Sequence, residues 1–126
     1  MRILFVDDEA TLLEGLRRTL RPQRARWEME FASGGLDALR MMDVSRFDVV
    51  VTDMRMPGMD GAQLLEQVRE RFPRAVRIVL SGYCDMESTL RAVNFAHQVL
   101  QKPCDATRLL QAIERASGLT SAPQDN

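Results

Sequence analysis

The chain has 126 residues, a hydrophobic content of 45% and a formal net charge of −1. That is one domain's length, with enough apolar residues for a core that needs no disulfide or metal staple. No apolar run approaches the ~20 residues of a membrane span, and Asp7 and Asp8 interrupt the first run too early for a secretory leader. The near-neutral charge gives no general attraction to nucleic acid or to anionic lipid. Cys84 and Cys104 lack CxxC spacing and read as reduced thiols, so a cytoplasmic location is expected. His97 is the single histidine, which rules out a multi-histidine metal site. Lys102 is the only lysine among 17 basic residues, an exception that asks for a chemical reason.

Taken in chain order, short apolar runs alternate with amphipathic segments. Ile3-Leu4-Phe5-Val6 reads as a strand covered on both faces. A helix is predicted from Ala10 to Arg21, with Leu12, Leu13, Leu16 and Leu20 on one stripe and Pro22 ending it. Trp27, Met29 and Phe31 alternate with Glu28 and Glu30, the pattern of a half-exposed edge strand. Ser33-Gly34-Gly35 opens a helix to about Val44, with Leu36, Leu39 and Met42 inward. Val49-Val50-Val51 is the third strand. Asp60 and Gln63 form a capping box for a third helix carrying Leu64, Leu65, Val68 and Phe72, closed by Pro73.

Val76 to Leu80 is the fourth strand. A weaker helix follows from Asp85 to about Ala96, with Met86, Leu90 and Val93 inward. Val99-Leu100 is the fifth strand, and Asp105 caps a last helix carrying Leu109, Leu110, Ile113 and Ala116. The domain is expected to span residues 1–117, with 118–126 a tail or the start of a linker. Strict alternation of strand and helix implies an α/β fold: a doubly wound, five-stranded parallel sheet with five helices. With the edge-like strand second in the chain, the order 2-1-3-4-5 follows. Ligands of such sheets bind beyond the carboxyl ends of the strands.

The polar residues that follow the strands therefore share one edge. They are Asp7 and Asp8 after the first, Asp53 after the third, Ser81 after the fourth and Lys102 after the fifth. Clustered carboxylates repel one another and raise each other's pKa values unless a cation relieves them. Only oxygen ligands are on offer, so the ion should be hard, Mg²⁺ or alternatively Mn²⁺. Lys102 offers a compact charge for a phosphoryl oxygen and Ser81 a hydroxyl donor. Asp53, central in the sheet, is then placed to attack phosphorus as a nucleophile.

These residues carry a family resemblance. Val6-Asp7-Asp8-Glu9, Thr52-Asp53-Met54-Arg55-Met56-Pro57-Gly58-Met59-Asp60-Gly61, Leu80-Ser81-Gly82 and Lys102-Pro103 resemble the receiver domain of a two-component response regulator. The resemblance covers residues 1 to about 117 and implies a flavodoxin-like receiver fold. It implies that Asp53 is the phosphoacceptor and that Asp8, Asp53 and the Arg55 backbone carbonyl hold Mg²⁺, with Asp7 acting mostly through water. It implies further that Ser81 and Lys102 bind the phosphoryl group and that the Lys102–Pro103 peptide is cis. The expected function is a phosphorylation-dependent switch rather than a turnover enzyme. The implied partners are a sensor histidine kinase or phosphotransfer protein and a fused or separate output domain, with a phosphorylation-linked homodimer possible.

Receivers usually carry Tyr or Phe three residues before the lysine; here that position is Val99. With no ring to turn, the relay is expected to run through residues 81–90. The Arg55 and Tyr83 side chains are expected to flank Asp53 and shield an acyl phosphate. The run Ala96-His97-Gln98-Val99-Leu100 with Lys102-Pro103-Cys104-Asp105 is similar to receivers fused to HD-type phosphohydrolase outputs. Two other classes compete. A small Mg²⁺ phosphohydrolase would use Asp53 with turnover, but Asp7-Asp8-Glu9 is not the Asp-x-Asp such enzymes carry. A phosphate-independent interaction module would leave the acid set and Lys102 without a purpose. The arginines at 17, 18, 21, 24 and 26 read as a solvated face, since aromatic residues do not interleave with them.

Overall fold

A computed structural model describes residues 1–121. Five strands, β1 (Arg2–Val6), β2 (Glu28–Ala32), β3 (Val49–Asp53), β4 (Val76–Ser81) and β5 (Gln98–Gln101), alternate with five helices. The helices are α1 (Ala10–Thr19), α2 (Gly35–Val44), α3 (Gly61–Arg71), α4 (Met86–Ala92) and α5 (Ala106–Ser121). Every paired strand is parallel, and the order is β2-β1-β3-β4-β5, as expected from the edge-like pattern of β2.

The two-residue period of the strands divides the core into two layers. Leu4, Val6, Val50 and Val79 pack with Ala38, Leu39 and Met42 of α2 and with Leu64, Leu65 and Val68 of α3. Ile3, Phe5, Val49, Val51 and Ile78 face the other way, onto Leu13 of α1 and Leu109, Ala112, Ile113 and Ala116 of α5. β2 lies at the edge with Glu28 exposed and Met29, Glu30 and Phe31 half-buried. The Phe31 ring stacks on Phe5 at 5.2 Å, and the Arg17 guanidinium covers it from outside. The arginines at 17, 18, 21, 24 and 26 are all exposed.

Local expectations about α1, α2 and α4 are corrected. α1 stops at Thr19, and Arg21–Ala25 forms a 3₁₀ turn with Pro22 in its first turn, where a missing N–H leaves no bond unmade. α4 ends at Ala92 rather than near Ala96. Met86 and Leu90 of α4 and Val93 just after it are 73%, 68% and 55% exposed, while Ala92 is fully buried. Leu36 is also exposed, at 64%. Helical spacing shows which residues share a face but not which face meets the core, and in α4 the inward face is the one with Thr89 and Ala92. α5 continues through Ser121; residues 122–126 lie outside the described residues.

α3 begins as the sequence requires. Asp60 accepts from the Gln63 backbone N–H at 2.9 Å, and the Gln63 side chain accepts from the Asp60 N–H at 2.9 Å. Gly61 then passes against the end of β3. A Cβ there would sit 2.5 Å from the Asp53 carbonyl oxygen and 2.9 Å from the Met54 Cα, both backbone atoms that no side-chain rotation can move. Gly61→Ala is therefore expected to cost about 1–3 kcal/mol, the usual range for overpacking. A urea titration checks it: a midpoint equal to wild type would mean that α3 recedes freely from β3.

Candidate phosphoacceptor site

β1 and β3 are adjacent, so their ends deliver three acids to one crevice. Asp7, Asp8 and Asp53 each offer a carboxylate oxygen, and these oxygens all lie within 4.8 Å of one another. Asp7 and Asp53 are buried and Asp8 is exposed. β5 ends two strands away from β3, and Lys102 reaches across so that its Nζ pairs with Asp53 Oδ1. Apart from that ion pair, this buried oxygen has no hydrogen-bond donor among the described residues. The Lys102–Pro103 peptide is cis, and the Lys102 N–H donates to the Ser81 carbonyl at 2.8 Å, tying the ends of β4 and β5 together.

Burial pushes the Asp7 carboxyl above its ordinary value. The Glu9 backbone N–H, which donates to Asp7 Oδ1 at 3.0 Å, opposes this. Asp53 and Asp8 add to the rise and Lys102 subtracts from it. The crevice thus resists its own charge, and a cation would remove that strain.

Buried methionines follow Asp53 in the chain. Met54 and Met56 are 1% and 6% exposed, and Met59 packs beside them, as expected of gap-filling methionines. Thr52 is fully buried and donates to the Asp53 carbonyl at 2.9 Å. Gly58, at φ +78°, turns the chain between β3 and α3 where other residues would be strained.

The loop after β4 is held by side-chain bonds to α4 and Arg55. Ser81 is 5% exposed, and its Oγ is hydrogen-bonded to Thr89 Oγ1 in α4. The Arg55 side chain, an expected shield, is engaged by this loop. Its Nε donates to Asp85 Oδ1 at 3.1 Å, and its guanidinium also reaches the Cys84 carbonyl at 3.3 Å. Asp85 Oδ2 in turn accepts from the Gly82 N–H at 2.8 Å. Arg91 of α4 pairs with Asp60, the cap of α3, at 2.9 Å. The Tyr83 side chain, the other expected shield, lies outside the described residues. Thr89, Asp85 and Arg91 were absent from the sequence-based site. Their spacing on a short helix matches no motif, and only the fold brings them to Ser81, Arg55 and Asp60. Val99 is 39% exposed on the edge strand, beside a cavity of about 290 Å³ lined by Ser81, Met86, Thr89, Leu90 and Gln101.

His97 serves the sheet. Its N–H donates to the Arg77 carbonyl at 2.7 Å, and its Nδ1 accepts from the Arg77 N–H at 2.9 Å, extending the β4–β5 ladder by one side chain. Burial, with a smaller contribution from the Arg77 guanidinium, holds the imidazole below its ordinary value of 6.5. The unfolded chain then takes the proton first. This contribution to stability is complete above 6.5 and is lost as the pH falls from there through the lower folded-state value. The stability difference between wild type and His97→Gln should therefore shrink across that window. A difference independent of pH in urea titrations would show that Nδ1 is not the acceptor.

The family model for the response regulator receiver domain matches residues 3–114. The chain belongs to that family, whose members act as phosphorylation-dependent signalling switches. It is 38% identical over 116 residues to the hydrogenase transcriptional regulatory protein HoxA of Cupriavidus necator, covering 90% of this chain and 23% of that one. It is 33% identical to the regulatory protein AtoC of Escherichia coli, covering 98% of this chain and 27% of AtoC. The chain thus spans about a quarter of the length of these curated relatives. Among solved structures it is similar to the signal receiver domain of an HD domain-containing protein from Pseudomonas fluorescens, at TM-score 0.89 and 29% identity over 97% of this chain and 98% of that one. It is also similar to the chemotaxis protein CheY4 of Vibrio cholerae, at TM-score 0.80 and 29% identity over 91% and 97%. Among the described residues no helix is long and apolar enough to cross a membrane.

Proposed function

We propose that Asp53 accepts a phosphoryl group from a histidine kinase or phosphotransfer protein and that the chain is a switch rather than a turnover enzyme. The observation that carries this reading is the Lys102 ammonium set directly on Asp53 inside a cluster of three carboxylates. A carboxylate oxygen of Asp53 attacks phosphorus and a new O–P bond forms. The P–N bond to the donor imidazole breaks, and the leaving nitrogen keeps the electron pair and is protonated in the donor. Lys102 then holds a phosphoryl oxygen as a point charge, and the Ser81 hydroxyl donates to another.

The residues fit a hard divalent ion. All donors are oxygens, Asp7 resists its charge through burial and neighbouring carboxylates, and one buried Asp53 oxygen meets only Lys102. Asp8, Asp53 and the Arg55 carbonyl would hold Mg²⁺ or Mn²⁺, with Asp7 acting through water. When bound, the ion supplies positive charge to the carboxylates and to the transferring phosphoryl oxygens. Saturating Mg²⁺ should raise the unfolding temperature of wild type and leave that of Asp8→Ala unchanged. No response in wild type would mean that the carboxylates do not act as one site.

The exposed residues Met86, Leu90, Val93 and Val99 form an apolar face on α4 and β5 where an output domain or a second copy of the chain would dock. An HD-type output is supported by the Ala96–Asp105 run and by the likeness to the Pseudomonas receiver. The receiver itself is proposed to span residues 1–117, the last turn of α5 leading into a linker, and to work in the cytoplasm without contacting nucleic acid or membrane. Incubation with Mg²⁺ and acetyl phosphate tests the reading. The expected result is one phosphoryl group per chain; sustained phosphate release would favour a phosphohydrolase, and no incorporation would favour an interaction module.

A further inference from the structure

Ser81 is fixed by its backbone, not by its side chain. It lies in the β4–β5 ladder opposite Gln101, and its carbonyl accepts from the Lys102 N–H at 2.8 Å. The only freedom left to its hydroxyl is rotation about the Cα–Cβ bond. In this structure the rotation is spent on Thr89, whose Oγ1 meets Ser81 Oγ from the inward face of α4. Either hydroxyl can be the donor in this pair; in the rotamer that meets Thr89 the Ser81 hydroxyl makes no hydrogen bond to Asp53 Oδ1, and turning it about Cα–Cβ toward a phosphoryl oxygen carries it away from Thr89.

The helix that Thr89 belongs to is weakly held by packing. α4 has seven residues, its larger apolar side chains are exposed, and Ala92 is its only buried residue. No side chain caps its first turn, because Asp85 bonds the Gly82 N–H and Arg55 instead. What fixes α4 is a set of polar ties: Ser81 to Thr89, Arg55 to Asp85 at its start, and Arg91 to Asp60 on its outer side. Losing one of three such ties matters more here than in a helix anchored by leucines.

We propose that Thr89 is a positioning residue that holds the Ser81 hydroxyl off Asp53 in the unphosphorylated chain, so that phosphoryl binding must break the Ser81–Thr89 bond and thereby loosen α4. This rests on the reading of Asp53 as phosphoacceptor and adds to it the element that couples the site to α4. It also gives the switch a route that needs no ring at position 99. The cavity bounded by Ser81, Thr89 and Val99 leaves room for α4 to shift once the bond is gone.

Thr89→Val keeps the shape and removes the hydroxyl; Thr89→Ser keeps the hydroxyl and is the rescue. A single hydrogen bond changes an equilibrium by about two- to tenfold. Two readouts follow. Without any ligand, amide exchange in residues 86–92 should be faster by about that factor in Thr89→Val and near wild type in Thr89→Ser. With Mg²⁺ and beryllofluoride as the phosphoryl mimic, Thr89→Val should bind the mimic about two- to tenfold more tightly than wild type, because the competing bond is absent. That gain should vanish when Ser81→Ala is added, which a purely structural role for Thr89 would not produce. Equal or weaker mimic affinity in Thr89→Val, or a gain that survives in Ser81→Ala, would overturn the proposal while leaving Asp53 as acceptor. Failure of wild type to bind the mimic at all would overturn both.

Discussion

Asp53→Asn will fold as wild type does and will take up no phosphoryl group. The amide is almost the size of the carboxylate, so the buried position is still filled. What is lost is the anionic oxygen that attacks phosphorus. The substitution also removes one of three clustered carboxylates, so the apo protein should be no less stable even though the pairing with Lys102 is weakened. Uptake from acetyl phosphate and from any kinase should fall together, since both meet the same nucleophile. Intact-mass analysis reads the result, and a phosphoryl adduct of wild-type yield in Asp53→Asn would remove Asp53 from the account.

Lys102→Ala will slow phosphorylation roughly a hundredfold, the scale seen when one preorganised charge is removed from a reacting group. Lys102 is the only lysine in the chain and its ammonium already rests on Asp53, so no neighbouring amine can take its place. Lys102→Arg should not restore the wild-type response. A planar fork from the same Cα does not put a single compact charge where Nζ sits, although Mg²⁺ binding should survive. Removing Lys102 also leaves Asp7, Asp8 and Asp53 without their cation, so Mg²⁺ should stabilise Lys102→Ala more than it stabilises wild type. Stopped-flow phosphorylation rates and Mg²⁺-dependent unfolding curves check the two parts. A wild-type rate in Lys102→Arg, or a Mg²⁺ effect no larger in Lys102→Ala, would contradict this role.

Much of this was legible because the fold turns sequence order into position. Residues just past the ends of parallel strands share one edge, so Asp7, Asp8, Asp53, Ser81 and Lys102 were placed together by strand assignment alone, with four short motifs agreeing. The capping box of Asp60 and Gln63 was legible for a local reason, since both partners lie within one turn. What could not be read was every tie whose partners are distant in sequence and joined only by packing. Arg55 reaches Asp85, Arg91 reaches Asp60, and Thr89 reaches Ser81. The inward face of α4 was misjudged for a related reason. Met86, Leu90 and Val93 have the spacing of a core stripe, but the helix is only seven residues long, ends before Val93 and has polar ties beneath it, and all three are exposed.

The central claim is that one carboxylate, at position 53, carries the phosphoryl group. Its most direct test is to phosphorylate the wild-type chain with acetyl phosphate and Mg²⁺, reduce the acyl phosphate with borohydride and map the product by peptide mass. An aspartyl phosphate is converted to homoserine by this treatment, so the modified residue is marked where it stands. The account predicts homoserine at position 53 alone; homoserine at 7, 8 or 60, or an unmodified chain after incubation, would contradict it.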